Sequence, residues 1–218
     1  DFANRTINII YTVDQGPKTY VDRIEIRGND KTRDYVIRRE FDLAEGDAFN
    51  QVMIQKAKRR LEKLGFFERV EVSTVPGDQP DQVVLVVDVV EKSTGEFSIG
   101  AGYTTGGENQ GVNLEAGITE RNFLGRGQFV KVSIGGTTSS RTYNLSFTEP
   151  YFLGYRIAAG FDIFKSNTEY TAYQVDRNGA TVRFGLPITD QLYGQIAYNI
   201  VQDEYSVRDQ NEDGVIAP

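Results

Sequence analysis

The order of apolar and polar positions divides the chain into two stretches with different periodicities. In residues 20–91 the period changes from element to element. Tyr20 to Arg27 alternates, with Ile24 and Ile26 on one side and Arg23, Glu25 and Arg27 on the other, which predicts a strand. Gly28-Asn29-Asp30 turns the chain. Thr32 reads as the N-cap of a helix running to Phe41, with Ile37 and Phe41 on one face. Glu45-Gly46-Asp47 breaks it. Asn50 caps a second helix, whose apolar residues Ile54, Ala57, Leu61 and Leu64 recur at spacings of 3, 4 and 3, and Gly65 stands where a left-handed glycine ends a helix. Phe66-Phe67 leads into a strand with Val70 and Val72 inward. Pro76-Gly77-Asp78-Gln79-Pro80 forms a hairpin loop, and 82–91 follows as a strand apolar on both faces, so it is expected to be the most buried. The result is an α+β unit of order β-α-α-β-β, with Ile24, Ile26, Ile37, Phe41, Ile54, Leu61, Leu64, Phe67, Val70 and Val72 as its core.

Ahead of this unit, Thr6-Ile7-Asn8-Ile9-Ile10-Tyr11-Thr12-Val13 is β-rich and ends at the turn signal Asp14-Gln15-Gly16-Pro17. A lone strand is not stable. Residues 1–18 are therefore expected to close a preceding unit. The run Val83-Val84-Leu85-Val86-Val87-Asp88-Val89-Val90-Glu91 echoes this strand, as units in a tandem array do.

From residue 95 the helical period disappears and apolar residues alternate with polar ones. Phe97, Ile99, Ala101 and Tyr103 oppose Ser98, Gly100, Gly102 and Thr104. Val130, Val132 and Ile134 oppose Lys131, Ser133 and Gly135. Tyr155, Ile157, Ala159, Phe161 and Ile163 oppose Arg156, Gly160 and Asp162. About seven strands of roughly 9–12 residues result. Alternation fits a membrane β-barrel and also a soluble β-sandwich. Three features favour the barrel. The strands are long enough to cross a bilayer when tilted. The polar face carries Glu115, Lys131, Arg156, Asp162 and Arg183, as a wet interior would. Aromatic residues gather at strand ends, at Phe123, Tyr151, Phe152 and Tyr155. The connections alternate too: 121–127, 149–154 and 187–190 are short, whereas 105–110, 137–141 and 167–172 are polar. This alternation puts the α+β unit on the short-turn side.

Composition narrows the chemistry. No run of about 18 apolar residues exists, so a membrane-spanning helix is excluded. The chain starts at Asp1 with no signal peptide, as a mature segment would. Cysteine and histidine are absent, which removes thiol chemistry, disulfides, the commonest general base and the commonest metal ligand. No catalytic residue, cofactor or metal is expected. The formal charge of −7 argues against a nucleic-acid partner. Asp209-Gln210-Asn211-Glu212-Asp213-Gly214 matches half of a calcium loop, but a strand precedes it, so an acidic surface loop is the better reading.

Several motifs carry a family resemblance. Gly28-Asn29, Val36-Ile37-Arg38-Arg39-Glu40-Phe41, Glu45-Gly46 and Leu64-Gly65-Phe66-Phe67 with Val70 resemble the polypeptide-transport-associated (POTRA) domain. The step from Val90-Glu91-Lys92 through Thr94-Gly95 into Phe97-Ser98-Ile99-Gly100-Ala101-Gly102-Tyr103 resembles the junction to the barrel in the BamA family, as do Asn122-Phe123-Leu124-Gly125-Arg126-Gly127 and Thr148-Glu149-Pro150-Tyr151-Phe152. The resemblance implies a division into the end of one POTRA domain (1–18), a second POTRA domain (19–92) and the N-terminal strands of an outer-membrane barrel (93–218), incomplete over this length. It implies the central subunit of the outer-membrane assembly machinery (the BAM complex of Gram-negative bacteria), with its N-terminal part in the periplasm. Client barrel proteins, accessory lipoproteins and outer-membrane lipid would be its partners. It further implies that Phe97, Ser98, Ile99, Gly100, Ala101, Gly102 and Tyr103 form a weakly closed gate strand that clients use as a template. Arg38, Arg39, Glu40 and Glu45 are candidates for contacting an accessory lipoprotein. Two other readings stay open: a POTRA-barrel translocator of a secretion or import system, and a soluble β-sandwich scaffold or adhesion protein.

Overall fold

The computed structural model describes residues 18–106, 110–189 and 192–207. The strand expected over residues 6–13 and the acidic loop from Asp209 to Gly214 lie outside them.

The α+β unit runs β1 (Tyr20–Arg27), α1 (Asp34–Arg38), α2 (Gln51–Leu64), β2 (Phe67–Pro76) and β3 (Gln82–Glu91). Its sheet has the order β1-β3-β2, with β3 parallel to β1 and antiparallel to β2. The central place of β3 accounts for its apolar residues on both faces, and Val84, Leu85, Val86 and Val87 are all buried. The second helix starts and stops as expected. The Asn50 Oδ1 accepts from the amides of Val52 and Met53 at 3.0 and 3.2 Å, and Gly65 closes the helix at φ 74°. Such a cap contributes about 1 kcal/mol.

Two details differ from the expected pattern. In β1 the pairing with β3 shifts register between Val21 and Ile24, so Val21 joins Ile24 in the core and Ile26 only packs against its margin. The first helix is a single short turn capped by Arg33, without a side-chain cap. Thr32 does not serve as its N-cap because its hydroxyl is used elsewhere: Oγ1 accepts from Asn122 Nδ2 at 2.9 Å.

The second region is one antiparallel sheet. Its strands are β4 (Gly95–Thr104), β5 (Gly111–Phe123), β6 (Gln128–Gly136), β7 (Ser140–Glu149), β8 (Ala158–Glu169), β9 (Tyr173–Pro187) and β10 (Tyr193–Val207), each paired with its sequence neighbour. Among the described residues the sheet is open, with β4 and β10 at its edges. Seven strands match the expectation, but β5, β9 and β10 reach 13, 15 and 15 residues, longer than foreseen. Residues 155–157 belong to a turn and not to a strand. A 3₁₀ turn over Phe152–Gly154, with Leu153 at φ 55°, precedes β8, and Phe152 N donates to the Ile157 carbonyl at 2.8 Å. Among the described residues no second sheet covers this one, so the sandwich reading does not hold. Its large apolar side chains are exposed: Ile99 is 74% exposed and Ile196 78%, against 0% for Leu61 and Leu85 in the α+β core.

Candidate functional site: the junction and the first barrel strand

The two regions meet where the short turns of the large sheet press against the segment that flanks α1. The Glu91 carboxylate, at the end of β3, accepts from the amides of Lys31 and Thr32 at 2.9 and 2.6 Å. Burial opposes its ionisation, but these hydrogen bonds hold Glu91 below the usual carboxylate range. Asn122 donates to Thr32 Oγ1 and accepts from the Gly127 amide at 2.7 Å. The Arg33 amide donates to the Gly125 carbonyl at 2.8 Å. Gly125 must be glycine on two counts: its φ is +71°, and a Cβ there would lie 1.9 Å from the Lys31 carbonyl oxygen.

Beside this contact Tyr151 enters from the next short turn. The Arg39 guanidinium stacks over its ring at 4.1 Å and also faces Tyr35 at 5.7 Å. Arg39 Nε and Nη2 are buried without a hydrogen-bond partner, and the two rings help to stabilise this cation. Tyr151 Oη donates to Glu40 at 3.0 Å and accepts from Arg156 Nε at 3.1 Å. Arg156 also reaches Asp42 at 3.1 Å, and Arg60 holds the other Asp42 oxygen at 2.8 Å. Glu40 is 4% exposed. Burial pushes its carboxyl above the usual range, although Tyr151 and the neighbouring guanidiniums pull the other way. Burial works in the same direction on Asp42, yet Arg60 and Arg156 hold it below the usual range.

Four residues singled out as partner contacts therefore separate. Arg39 and Glu40 turn inward against Tyr151. Arg38 and Glu45 stay on the outside, where Arg38 pairs with Asp34 at 2.9 Å and with Glu45 at 3.2 Å. Arg156, expected to face the barrel interior, faces Asp42 instead because it lies in the turn before β8. The interior partner of Asp162 is Arg183, at 3.0 Å. The contacts that Thr32, Asn122, Tyr151 and Asp42 make across the junction escaped the sequence reading. All four look like turn and strand-end residues, and no periodic signal marks them as partners across 90 or more positions of chain.

The first barrel strand, β4, leaves this junction directly. Phe97, Ser98, Ile99, Gly100, Ala101, Gly102 and Tyr103 all lie on it, and every residue of the strand is exposed. Its base is held twice: Arg121 N donates to the Thr94 carbonyl at 3.2 Å, and the Arg121 guanidinium grips Glu96 at 3.1 Å. One edge pairs with β5, and among the described residues the other edge pairs with nothing.

Register shows how the sheet sits in a bilayer. The hydrogen-bonded row Phe97, Ile118, Val132, Leu145, Ile163, Ala180 and Ile200 is apolar throughout. The outward row above it is apolar through Ile99, Ala116, Ile134 and Tyr143, then turns polar at Lys165, Asn178 and Gln202. On the opposite side, Gln128 and Glu149 precede Ala159, Phe184 and Ile196. The apolar band thus runs obliquely to the rows. Its upper edge steps down six residues, from the level of Tyr103 on β4 to that of Ile200 on β10, across six strand intervals. At roughly 3.3 Å per residue and 4.8 Å between strands, that slope is about 35°. A horizontal slab of lipid demands that tilt, and membrane barrels have strands tilted by roughly 35–45°.

The family models agree with this division. The Omp85 superfamily domain matches residues 122–217, and the POTRA model, described as a surface antigen variable number repeat, matches residues 19–92. The chain carries a POTRA domain followed by an Omp85 superfamily domain. It is 30% identical over 216 residues to the outer membrane protein assembly factor BamA of Neisseria meningitidis serogroup B, covering 95% of this chain and 26% of that protein. It is 29% identical over 207 residues to BamA of Nitratidesulfovibrio vulgaris, again over 95% of this chain and 26% of the relative. The crystal structure of BamA from Haemophilus ducreyi lacking POTRA domains 1–3 superposes with a TM-score of 0.75 at 32% identity, over 91% of this chain and 38% of that one. CdiB from Escherichia coli shares the fold alone, with a TM-score of 0.64 at 18% identity. The chain spans about a quarter of the length of the curated relatives it matches. Its large sheet is the start of an outer-membrane barrel, and its POTRA domain lies in the periplasm.

Proposed function

We propose that this segment is the POTRA–barrel junction of an outer-membrane protein assembly factor, which folds and inserts client β-barrels without covalent chemistry or a cofactor. In this reading residues 1–18 end a preceding POTRA domain, 19–92 form the POTRA domain and 93–218 begin the barrel. The observation that carries it is β4: a strand fixed at its base by Glu96, Arg121 and Thr94 and interrupted above that base by Gly100 and Gly102. A weakly held outer edge there would offer amides and carbonyls to an incoming strand, which is β-augmentation. Gly100 and Gly102 have no close neighbour that requires glycine, so they weaken the strand without serving its packing. The identity to assembly factors favours assembly over secretion or import. Arg38 and Glu45 form the exposed face offered to an accessory lipoprotein, while Arg39 and Glu40 brace the junction.

The test is a reversible lock. A cysteine placed along 97–103 is cross-linked to one in the last barrel strand of the full-length protein. Client insertion in reconstituted membranes should stop on oxidation and resume on reduction. A verified lock that leaves client insertion at its normal rate removes the gate from the mechanism.

A further inference from the structure

On the outward face of the sheet, at the end far from the POTRA domain, the tilted apolar band contains a groove of about 410 Å³ lined mainly by Ile99, Leu114, Ala116, Ile134 and Tyr143. Gly136 also lines it, and a Cβ there would lie 2.0 Å from the Ser140 carbonyl oxygen, so no side chain can replace this glycine. Arg141 stands at its upper lip. Lys165, directly opposite Tyr143 and diagonal to Arg141 across the β7–β8 ladder, points to the same face. Both cations are exposed, and among the described residues neither has an ion-pair or hydrogen-bond partner. They come one and two rows above Leu145, where the apolar band of β7 ends at Tyr143, which puts them at headgroup depth. Three acids share this face: Glu169 on β8, beyond Asn167, Asp176 on β9, diagonal to Lys165, and Glu204 on β10. Asp176 accepts from the amides of Asn167 and Gln174 at 2.6 and 3.1 Å.

We infer that this groove and cation pair form a site for a lipid of the leaflet opposite the POTRA domain, one whose headgroup carries a phosphate monoester, with an acyl chain lying in the trough. The inference rests on the membrane-barrel reading. Charge decides the headgroup. A phosphate monoester carries a charge of about −1.5 to −2 at neutral pH, which matches two adjacent cations, whereas a phosphodiester carries one negative charge and a choline headgroup is neutral overall. Shape decides the rest: an apolar trough beneath the cations suits a lipid and has no use for free phosphate.

The full-length protein is reconstituted in phosphatidylcholine nanodiscs containing either lipid A or phosphatidylglycerol, and co-purifying lipid is counted by native mass spectrometry. Barrel insertion is verified for each variant by heat-modifiable electrophoretic migration. Wild type should retain lipid A over phosphatidylglycerol, and the double variant R141Q/K165Q should lose that excess, a drop of roughly tenfold in apparent affinity. Ala116→Phe, which fills the trough and leaves the charges, should also lower retention. Lys131→Gln, an interior cation, should not, and excess inorganic phosphate should not displace the lipid. Equal retention by R141Q/K165Q in an inserted barrel overturns the site and leaves the barrel standing. Equal retention of phosphatidylglycerol and lipid A overturns the monoester assignment. A wild-type protein that fails to insert overturns the barrel reading, and the site with it.

Discussion

The POTRA domain and the barrel sheet use the same kinds of apolar residue in opposite ways. In the POTRA domain Leu61, Leu85, Val21 and Ile37 are fully buried against one another. In the sheet Ile99, Leu114, Ile118 and Ile134 stand more than half exposed. The first region is stabilised by removing its apolar surface from water, about 25 cal/mol for each Å². The second has no core of its own among the described residues, so its solvent for that face must be lipid. Period-two alternation therefore means different things in the two regions, and only the surroundings of each strand tell which.

The largest effect is expected inside the POTRA core. Leu61→Ala should destabilise an isolated 19–92 fragment by about 2–5 kcal/mol, measured by urea unfolding without detergent. A non-cooperative transition in the unsubstituted fragment would show that the domain needs the barrel turns to fold.

Next in size is the lipid face. Leu145→Arg should cost the membrane folding of the full-length protein about 2–4 kcal/mol. Ser146→Arg, one residue on and pointing inward, should cost much less, because Ser146 lies beside Asp162, which can pair with the new cation. Ser133 is the wrong inward control: it is buried against Gly117 and Asn144 and has no room for a long side chain. Equal costs at 145 and 146 would mean that the two faces share one environment.

A smaller effect is expected where the two regions touch. Tyr151→Phe removes the hydroxyl that Glu40 and Arg156 share, leaving a buried carboxyl without its donor. A loss of about 1–3 kcal/mol is expected, read as weaker protection of the 121–127 and 31–40 amides in hydrogen exchange. Unchanged protection at both segments would show that the Tyr151 bond does not brace the junction.

The smallest effect is a pH dependence at the same place. Glu40 has its folded-state pKa raised, so its unfolded form ionises first as pH rises. Stability is lost from the ordinary value of 4.5 upward, and the full penalty is present above the raised value. Asp42 acts in the opposite sense: its stabilising contribution is present above its ordinary value and is lost as pH falls through its lowered one. Glu40→Gln should therefore flatten the decline above pH 4.5 and leave the acid-side loss. An unaltered pH profile would show that Glu40 does not titrate at the junction.

Much of this was legible in the chain. The Asn50 cap, the Gly65 stop and the 3-4-3 spacing of α2 are local signals, and each is realised locally. The seven alternating strands were also readable, since period two survives tilt and curvature. What escaped has a common cause. The register shift that buries Val21, the hydroxyl of Thr32 that serves Asn122 rather than its own helix, and the turn that aims Arg156 at Asp42 are all set by a partner far along the chain. Gly125 is the instructive case. Its motif was noticed, but the need for glycine comes from Lys31. Arg39 and Glu40 group with Arg38 and Glu45 as candidate partner contacts because their stretch is short and polar, and nothing near them in sequence announces Tyr151.

The tilt of the sheet in the bilayer is the claim on which the rest depends, and depth-dependent fluorescence quenching by spin-labelled lipids tests it directly. Single labelled cysteines are introduced in the full-length protein at Ile99, Leu145, Ile196 and Ile200. The oblique band predicts that positions 99, 145 and 196 share the deepest environment. It also predicts that position 200, which lies in the same hydrogen-bonded row as Leu145, is shallower and close to the headgroups of the leaflet opposite the POTRA domain. Equal depth at 145 and 200 would contradict the tilt, and quenching that does not vary with the depth of the spin label at any of the four would contradict the membrane barrel itself.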